Sequence, residues 1–320
     1  MKSRQPTITV IGSFMMDLVI KAERRPLRGE TLIGQSFGIY PGGKGFNQAV
    51  AASRLGAQVH MVGKLGDDDF GKQFRKSLDF AGIGSEFVFT TDQAMTGVGS
   101  PVIDAQGDNS IIVVPGANML LTPADVEKAR SLITRSDMVL MQLENPIDTV
   151  LFAAGIAKSA GVPVLLNPAP ARPLPDELLS LITILTPNET EAEMLTGCNV
   201  ADTVSALQAA RILLGKNIHS VVLTLGDRGA LLAEKNRSIQ IPGFHVDVVD
   251  TTAAGDAFCA ALAVKYSSGY SMDEAIAFAN SVGALATTIL GAEPAMPLLE
   301  DVKQFNKNHR SPQLIEIALP

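Results

Sequence analysis

Residues 137–168 read "DMVLMQLENPIDTVLFAAGIAKSAGVPVLLNP". Two short, nearly continuous apolar runs, Asp137–Leu143 and Val162–Pro168, flank a stretch, Thr149–Ala160, whose apolar residues recur at helical spacing. Continuous apolarity along a strand means that both of its faces are covered, and alternating helices supply that cover over a parallel sheet. The same unit recurs along the chain. "TITVI" stands at Thr7–Ile11, and Val59–Gly63, Ile182–Asn188 and Ser220–Gly226 read as further strands. Helical spacing marks Asn47–Leu55, Phe70–Ala81, Pro123–Ile133 and Ser205–Leu214. The expectation is an α/β fold with a parallel sheet that binds its ligand at the C-terminal ends of the strands. Residues 15–40 and 95–115 break the rhythm. Rich in Gly, Thr and Val, they read as extra strands, either a cover over a site or an ordinary sheet edge.

Hydrophobic residues make up 46% of the 320 and charged residues 18%, which suits a sizeable core. The net charge is −7 and no long basic cluster appears. Nucleic acids and anionic membranes are therefore poor partners, and an anionic ligand needs a local positive site. Cys198 and Cys259 give neither a disulfide framework nor a zinc pattern and read as free thiols of a reducing compartment. The apolar stretch in "MKSRQPTITVIGS" is too short for a signal-peptide core or a membrane span, so a cytoplasmic location is expected. With no repeat, low-complexity tract or linker, residues 1–320 read as a single domain.

Four stretches carry chemistry. In "GIYPGGKGFNQAVAA", Gly38–Ala52, the spacing of Gly38, Gly43 and Lys44 approaches a P-loop, but Gly45 stands where that motif needs a hydroxyl. What remains is a Gly-Gly pair that lets backbone approach a ligand, with Lys44 and Asn47 near each other at the exposed start of a helix. An ammonium and an amide aimed at one point suit a polyhydroxyl ligand; a glycine turn with a solvated lysine is the alternative. "GSFMMDL", Gly12–Leu18, lacks the G-x-G-x-x-G that a dinucleotide fold would place there, and its Asp17 is a lone carboxylate among apolar residues. In "TPNETEAEMLTG", Thr186–Gly197, Asn188 and Glu191 lie one turn apart. Acidic residues in a first turn offset the helix dipole, and the same pair can hold a magnesium hydration shell. In "DTTAAGDAF", Asp250–Phe258, the amides of Ala253, Ala254, Gly255 and Asp256 point outward at the start of an apolar helix, Ala257–Lys265, and attract an anion. Asp256 is either a capping aid or a general base beside a substrate hydroxyl.

Together with "TLGDRGA" at Thr224–Ala230, "MQLENP" and "LNPAPAR", these stretches resemble the ribokinase-like (PfkB) carbohydrate kinases, in order and spacing and over essentially the whole chain. The resemblance is closest to the ribokinase and deoxyribokinase branch. It implies a three-layer α/β/α sandwich with a mostly parallel central sheet of about eight strands. It also implies a small β-sheet lid from residues 15–40 and 95–115, through which two copies pair as a homodimer. The implied activity is ATP-dependent transfer of a phosphoryl group to the 5-hydroxyl of D-ribose or 2-deoxy-D-ribose. Another sugar or a nucleoside as acceptor, or a non-catalytic sugar-binding regulator, are the alternatives.

The resemblance assigns Met15, Asp17, Gly43, Lys44, Asn47 and Glu144 to the sugar, and Asp256 to the base. Ala253, Ala254 and Gly255, with Asp256, form the implied anion hole. Asn188, Glu191, Thr224, Gly226, Asp227, Gly229, Gly255 and Asn280 fall on the nucleotide, with Glu191 reaching Mg²⁺ through water. A potassium activator is implied at Asp250 and Thr252, completed by backbone carbonyls near Ala286, Ile289 and Gly291. There are departures. Ala253 stands where the family often has Gly, and Ala295 where a ribokinase can place a serine near the cation. Met15 stands where ribokinases carry Asn. Met cannot make that polar contact, and an unpaired buried sugar hydroxyl costs about 1–3 kcal/mol. 2-Deoxyribose therefore competes with ribose as the preferred sugar.

Overall fold

The computed structural model describes residues 4–106, 109–309 and 314–317; residues 107 and 108 of the second irregular segment lie outside them. In chain order, β1 (Thr7–Ile11) leads to β2 (Met15–Lys21), β3 (Ser36–Gly42), α1 (Lys44–Arg54), β4 (Gln58–Gly66) and α2 (Asp69–Phe80). Next come β5 (Gly84–Thr91), β6 (Gly97–Ile103), β7 (Asn109–Val114), α3 (Pro123–Lys128), α4 (Arg130–Ile133), β8 (Met138–Met141) and α5 (Ile147–Ser159). They are followed by β9 (Val164–Leu166), α6 (Asp176–Leu181), β10 (Ile184–Leu185), α7 (Glu189–Thr196), α8 (Thr203–Leu214) and β11 (Ser220–Thr224). The last are β12 (Ala230–Glu234), β13 (Arg237–Ile241), α9 (Ala254–Ser267), α10 (Met272–Ala286), α11 (Leu299–Asn308) and β14 (Ile315–Glu316).

Among the described residues the main sheet has ten strands, in the order β14-β13-β12-β11-β10-β9-β8-β1-β4-β5. Every pairing from β11 to β5 is parallel, and β12, β13 and β14 extend the sheet antiparallel. The expected eight strands thus become ten. β13 alternates polar and apolar residues and β14 is two exposed residues, so neither has the continuous apolar run of a strand buried on both faces. One core, with Phe46, Phe74, Phe258, Ile276 and Val302, packs α1, α2, α9, α10 and α11 on one side of the sheet. A second, with Val126, Val150, Leu178, Ala192 and Ala206, packs α3, α5, α6, α7 and α8 on the other. The helix expected at Pro123–Ile133 is interrupted at Ala129, and the one expected at Ala257–Lys265 starts earlier, at Ala254.

The two irregular segments are not an edge of this sheet. β3, β2, β6 and β7 form a separate four-stranded sheet. It is tied to the main sheet at both ends, because β2 follows β1 directly and β3 leads into α1. The position of the site follows from the strand order. From β1 the sheet grows outward through β4 and β5, and from the neighbouring β8 it grows the opposite way through β9, β10 and β11. The crevice between β1 and β8 is therefore the topological switch point, where open α/β sheets bind ligands. Among the described residues no helix is long and apolar enough to cross a membrane.

Candidate active site

Ser13 follows β1 and Glu144 follows β8, and the Ser13 hydroxyl donates to Glu144 Oε2 across the crevice. The same oxygen accepts the backbone N–H of Lys44 at 3.0 Å, which pins the start of α1 to the switch point. A Cβ on Gly45 would stand 2.6 Å from Gly12 Cα, so only glycine permits this approach of two backbones. The expected exposed helix start is therefore corrected. Gly45, Phe46, Asn47 and Gln48 are buried, because α1 is pressed against β1 on one side and α9 on the other.

From α1, Asn47 Nδ2 donates to Asp256 Oδ2 and Gln48 Nε2 to Asp256 Oδ1, both at 3.0 Å. Both oxygens of the buried carboxylate are thus held by neutral amides. Asn47 Oδ1 is itself buried and has no partner, which leaves an acceptor for a hydroxyl donor. Burial opposes the charge on Lys44, but Asp256, Glu144 and Glu191 outweigh it and raise its pKa. Burial raises the pKa of Glu144 despite Lys44 and the Ser13 hydroxyl. Asp17 is pushed up to about 6, first by burial and then by Glu144 and Asp256. It is packed within the small sheet, where a Cβ on Gly42 would come within 2.5 Å of its Oδ2. Met15 shares the Asp17 face of β2 by strand alternation, but its sulfur lies 3.7 Å from Asn118 Nδ2 and its side chain is buried. Asp17, Lys44, Asn47, Glu144 and Asp256 therefore converge, Gly43 forms the turn at the N-terminus of α1, and Met15 is an apolar neighbour.

The start of α9 has no side-chain cap. By contrast, Asp68, Thr122, Asn188, Asp202 and Ser271 cap α2, α3, α7, α8 and α10. Ala253 turns the chain into α9 with a left-handed φ of 59°. The expectation of four outward amides needs correction, since the Ala254 N–H donates to the Thr251 carbonyl at 3.3 Å. Those of Gly255 and Asp256 stay at the uncapped end. A chamber of about 200 Å³ faces this turn, lined by Lys44, Glu191, Ala253, Gly255, Asp256 and Cys259 among others. The lysine charge and the uncapped helix end are the features of this chamber that favour an anion. Cys259 is buried there and its thiol is pushed up to about 12 by burial.

A cavity of about 680 Å³ adjoins it, lined in part by Thr224, Gly226, Asp227, Gly229 and Asn280. Asn188, Thr224, Thr251 and Gly255 line both spaces, so the two share a wall. The volume is that of a typical cofactor site. Asn280 Nδ2 donates to the carbonyls of Ile241 at 2.9 Å and Pro242 at 3.1 Å, which leaves its own carbonyl oxygen for a ligand. Phe244 and Thr287, which sequence reasoning missed, line this cavity too. Asn188 and Glu191 form a reciprocal cap on α7. Asn188 Oδ1 accepts from the Glu191 amide at 2.8 Å, and the Glu191 carboxylate accepts from Asn188 N and Nδ2 at 2.9 and 3.0 Å. The same pair borders the chamber, so helix stabilisation and a ligand-facing carboxylate coexist. Burial raises the pKa of Glu191, with Asn188 and Lys44 opposing.

Among the described residues no group of three or more His, Cys, Asp or Glu side chains is placed to hold a metal ion. Glu191 and Asp256 both border the chamber, and so small a set of carboxylates fits Mg²⁺, which keeps its waters and uses few protein ligands. In the candidate cation loop, Asp250 Oδ1 accepts from Thr252 N and Oγ1 at 2.9 and 2.7 Å, and Oδ2 accepts from Gly291 N at 2.8 Å. Burial works to raise the Asp250 pKa, and these bonds outweigh it. Gly291 thus comes to Asp250 as the motif implies. The carbonyl that ties the loop is Thr287, which accepts from Val249 and Asp250 at 2.8 and 3.1 Å. Ala286 is buried at the end of α10 and Ile289 is exposed, and neither is hydrogen-bonded to Asp250 or Thr252.

A family profile described as "pfkB family carbohydrate kinase" matches residues 5–298. A ribokinase of Haemophilus influenzae is 44% identical over 299 residues, covering 93% of this chain and 98% of that one. A deoxyribokinase of Salmonella typhimurium is 37% identical over 302 residues, covering 94% and 97%. The structure of Arabidopsis thaliana ribokinase complexed with ribose and ATP superimposes with a TM-score of 0.89 at 34% identity, covering 95% of this chain and 99% of that one.

Proposed function

The chain belongs to the pfkB family of carbohydrate kinases, and we propose that it is an ATP-dependent kinase that moves the γ-phosphoryl group to the 5-hydroxyl of D-ribose or 2-deoxy-D-ribose. The observation that carries this reading is the buried Asp256 carboxylate, clasped by Asn47 and Gln48 at the uncapped start of α9 and facing a chamber that adjoins a nucleotide-sized cavity. Asp256 accepts the proton as the sugar hydroxyl attacks the γ-phosphorus in line. Negative charge spreads over the phosphoryl oxygens in the transition state. The Gly255 and Asp256 amides and the Lys44 ammonium meet that charge already oriented. Asn47 Oδ1, Asp17 and Glu144 accept hydroxyls of the sugar, and the small sheet limits water as a competing acceptor. Glu191 would hold Mg²⁺ through water, and the ion would supply charge neutralisation to the phosphates. Asp250 and Thr252 would hold potassium, which would add positive charge near the anion hole.

Met15 supports 2-deoxyribose as the better sugar, since its buried thioether offers a 2-hydroxyl no strong partner. The exposed apolar residues of β3 and β7 support pairing of two copies through the lids. The test is a coupled ADP-release assay with ribose, 2-deoxyribose, fructose and adenosine, with and without potassium. Pentose-dependent ADP release is expected, with kcat/KM for 2-deoxyribose above that for ribose. Equal or better use of ribose overturns the reading of Met15, and no pentose-dependent release overturns the function. Asp256→Asn should keep the fold and lose turnover by about 10³-fold or more.

A further inference from the structure

Behind Asp256 the Gln48 amide continues into a chain of buried amides. Gln48 on α1 and Gln142, just beyond β8, are both fully buried. Gln48 Nε2 donates to Asp256 Oδ1 at 3.0 Å and to Asn167 Oδ1 at 3.3 Å. Gln48 Oε1 accepts from Gln142 Nε2 at 2.5 Å. Asn167 is fixed in turn, its Nδ2 donating to the Thr186 carbonyl at 3.1 Å. Both ends of the Gln48 amide are thus committed, and the donor on Gln142 decides which end faces the carboxylate. A reversed Gln48 would set its carbonyl oxygen against Asp256. The arrangement leaves Gln142 Oε1 buried without a partner, which disfavours folding. That orphan is the consequence of turning the Gln142 amide toward Gln48.

We propose that Gln48, oriented by Gln142, is a positioning residue for phosphoryl transfer. It fixes the rotation of the Asp256 carboxylate so that Oδ2 stays aimed at the sugar hydroxyl. Asn47 cannot do this alone. Its second polar atom is the free acceptor for the sugar, and its bond to Oδ2 competes with the hydroxyl that must donate there. Gln48 holds the other oxygen and is fully buried.

The inference rests on Asp256 being the base, and the experiment separates the two. Gln48→Met keeps the side-chain length and removes both donors. Gln142→Met touches Gln48 but not Asp256. For Gln48→Met, kcat is expected to fall at least tenfold while KM for the sugar and for ATP each change less than threefold. Gln142→Met should show a smaller fall in kcat, and the double variant should be no slower than Gln48→Met, because the two residues act in series. Gln48→Glu, with the same shape but a carboxylate against Asp256, should be slower than Gln48→Met. Its kcat–pH profile should have the acid limb moved to higher pH. A kcat within twofold of wild type in folded Gln48→Met overturns the proposal, as does a loss carried by KM or full additivity in the double variant. Should Gln48→Met not fold, an unchanged kcat in Gln142→Met overturns it instead. Asp256→Asn is run alongside. Turnover there sinks the base assignment, whereas a dead Asp256→Asn beside a fully active Gln48→Met sinks the role of Gln48 alone.

Discussion

Charge is crowded around Lys44. Asp256, Glu144 and Glu191 all act on its ammonium, while Asp17 feels Glu144 and Asp256 on top of its burial. The Asp17 pKa of about 6 therefore lies above its ordinary 3.8, so folding favours the protonated form. The stabilising contribution is whole below about pH 3.8 and is lost as pH rises through about 6. At pH 8 the ionised group in the empty site disfavours folding by at most about 3 kcal/mol. Asp17→Asn is accordingly expected to melt higher than wild type at pH 8, with the gap closing toward pH 4. In the wild type, the KM for the sugar should rise as pH falls below about 6, because a protonated Asp17 accepts hydroxyls poorly, and the KM for ATP should not follow. Melting curves and initial rates across that range check both; an Asp17→Asn no more stable than wild type at pH 8 contradicts the burial argument. From its own stretch of sequence Asp17 reads as a solitary carboxylate, and the family resemblance alone assigned it to the sugar. Its coupling to Glu144 and Asp256 was not visible, because those residues meet it only once β1 and β8 lie side by side.

Among the elements, the starts of α1 and α9 were legible as places where glycine or small residues lead into a helix, although the first amides of α1 are taken by Glu144 and Ser13 and α9 begins at Ala254 rather than Ala257. What lies behind them was not. Gln48 reads as one more polar residue on α1, and its partners Gln142 and Asn167 stand beyond the ends of β8 and β9, so only the parallel register brings them together. Ser13 escaped notice for the same reason. The turn into α9 carries a testable strain. Ala253 at φ 59° adopts a conformation that costs an L-residue about 1–2 kcal/mol and costs glycine little. Glycine gives back about 0.4–1 kcal/mol through its freer unfolded chain. Ala253→Gly is therefore expected to stabilise by about 0.5–1 kcal/mol and to keep kcat within threefold. Ala253→Val, β-branched in a left-handed position, should lower the melting temperature and cut kcat at least tenfold by tilting the Gly255 and Asp256 amides. Thermal denaturation and steady-state rates on the two variants decide it; a destabilised Ala253→Gly would show that the turn is not strained.

For the molecule as a whole, the open question is what covers the small sheet. Its two segments stood out in the sequence because they broke the strand–helix rhythm, but which faces they leave bare depends on how four strands register. Ile111, Ile112, Val113 and Val114 are 53, 73, 51 and 54% exposed along β7, and Phe37 on β3 is 62% exposed. Side chains alternate along a strand, so four exposed residues in succession mean that β7 is bare on both faces. One face of the sheet carries Asp17 toward the site. The other turns away from it, and β3 and β7 are also its two hydrogen-bonding edges. Apolar surface of this kind marks an association site, and an edge strand invites a further strand. A second copy of the chain fits, because each lid then covers the other and is stiffened over its own sugar. Wild type should therefore sediment at twice 33.7 kDa at micromolar concentration. Ile112→Lys, which puts a charge in the middle of that surface, should sediment as the monomer. Its KM for the sugar should rise severalfold as the lid loosens, while its melting temperature, set by the two cores on either side of the main sheet, stays near that of wild type. A wild-type protein that sediments as a monomer, or an Ile112→Lys dimer with unchanged kinetics, would mean that the bare faces of β7 serve the sugar site alone.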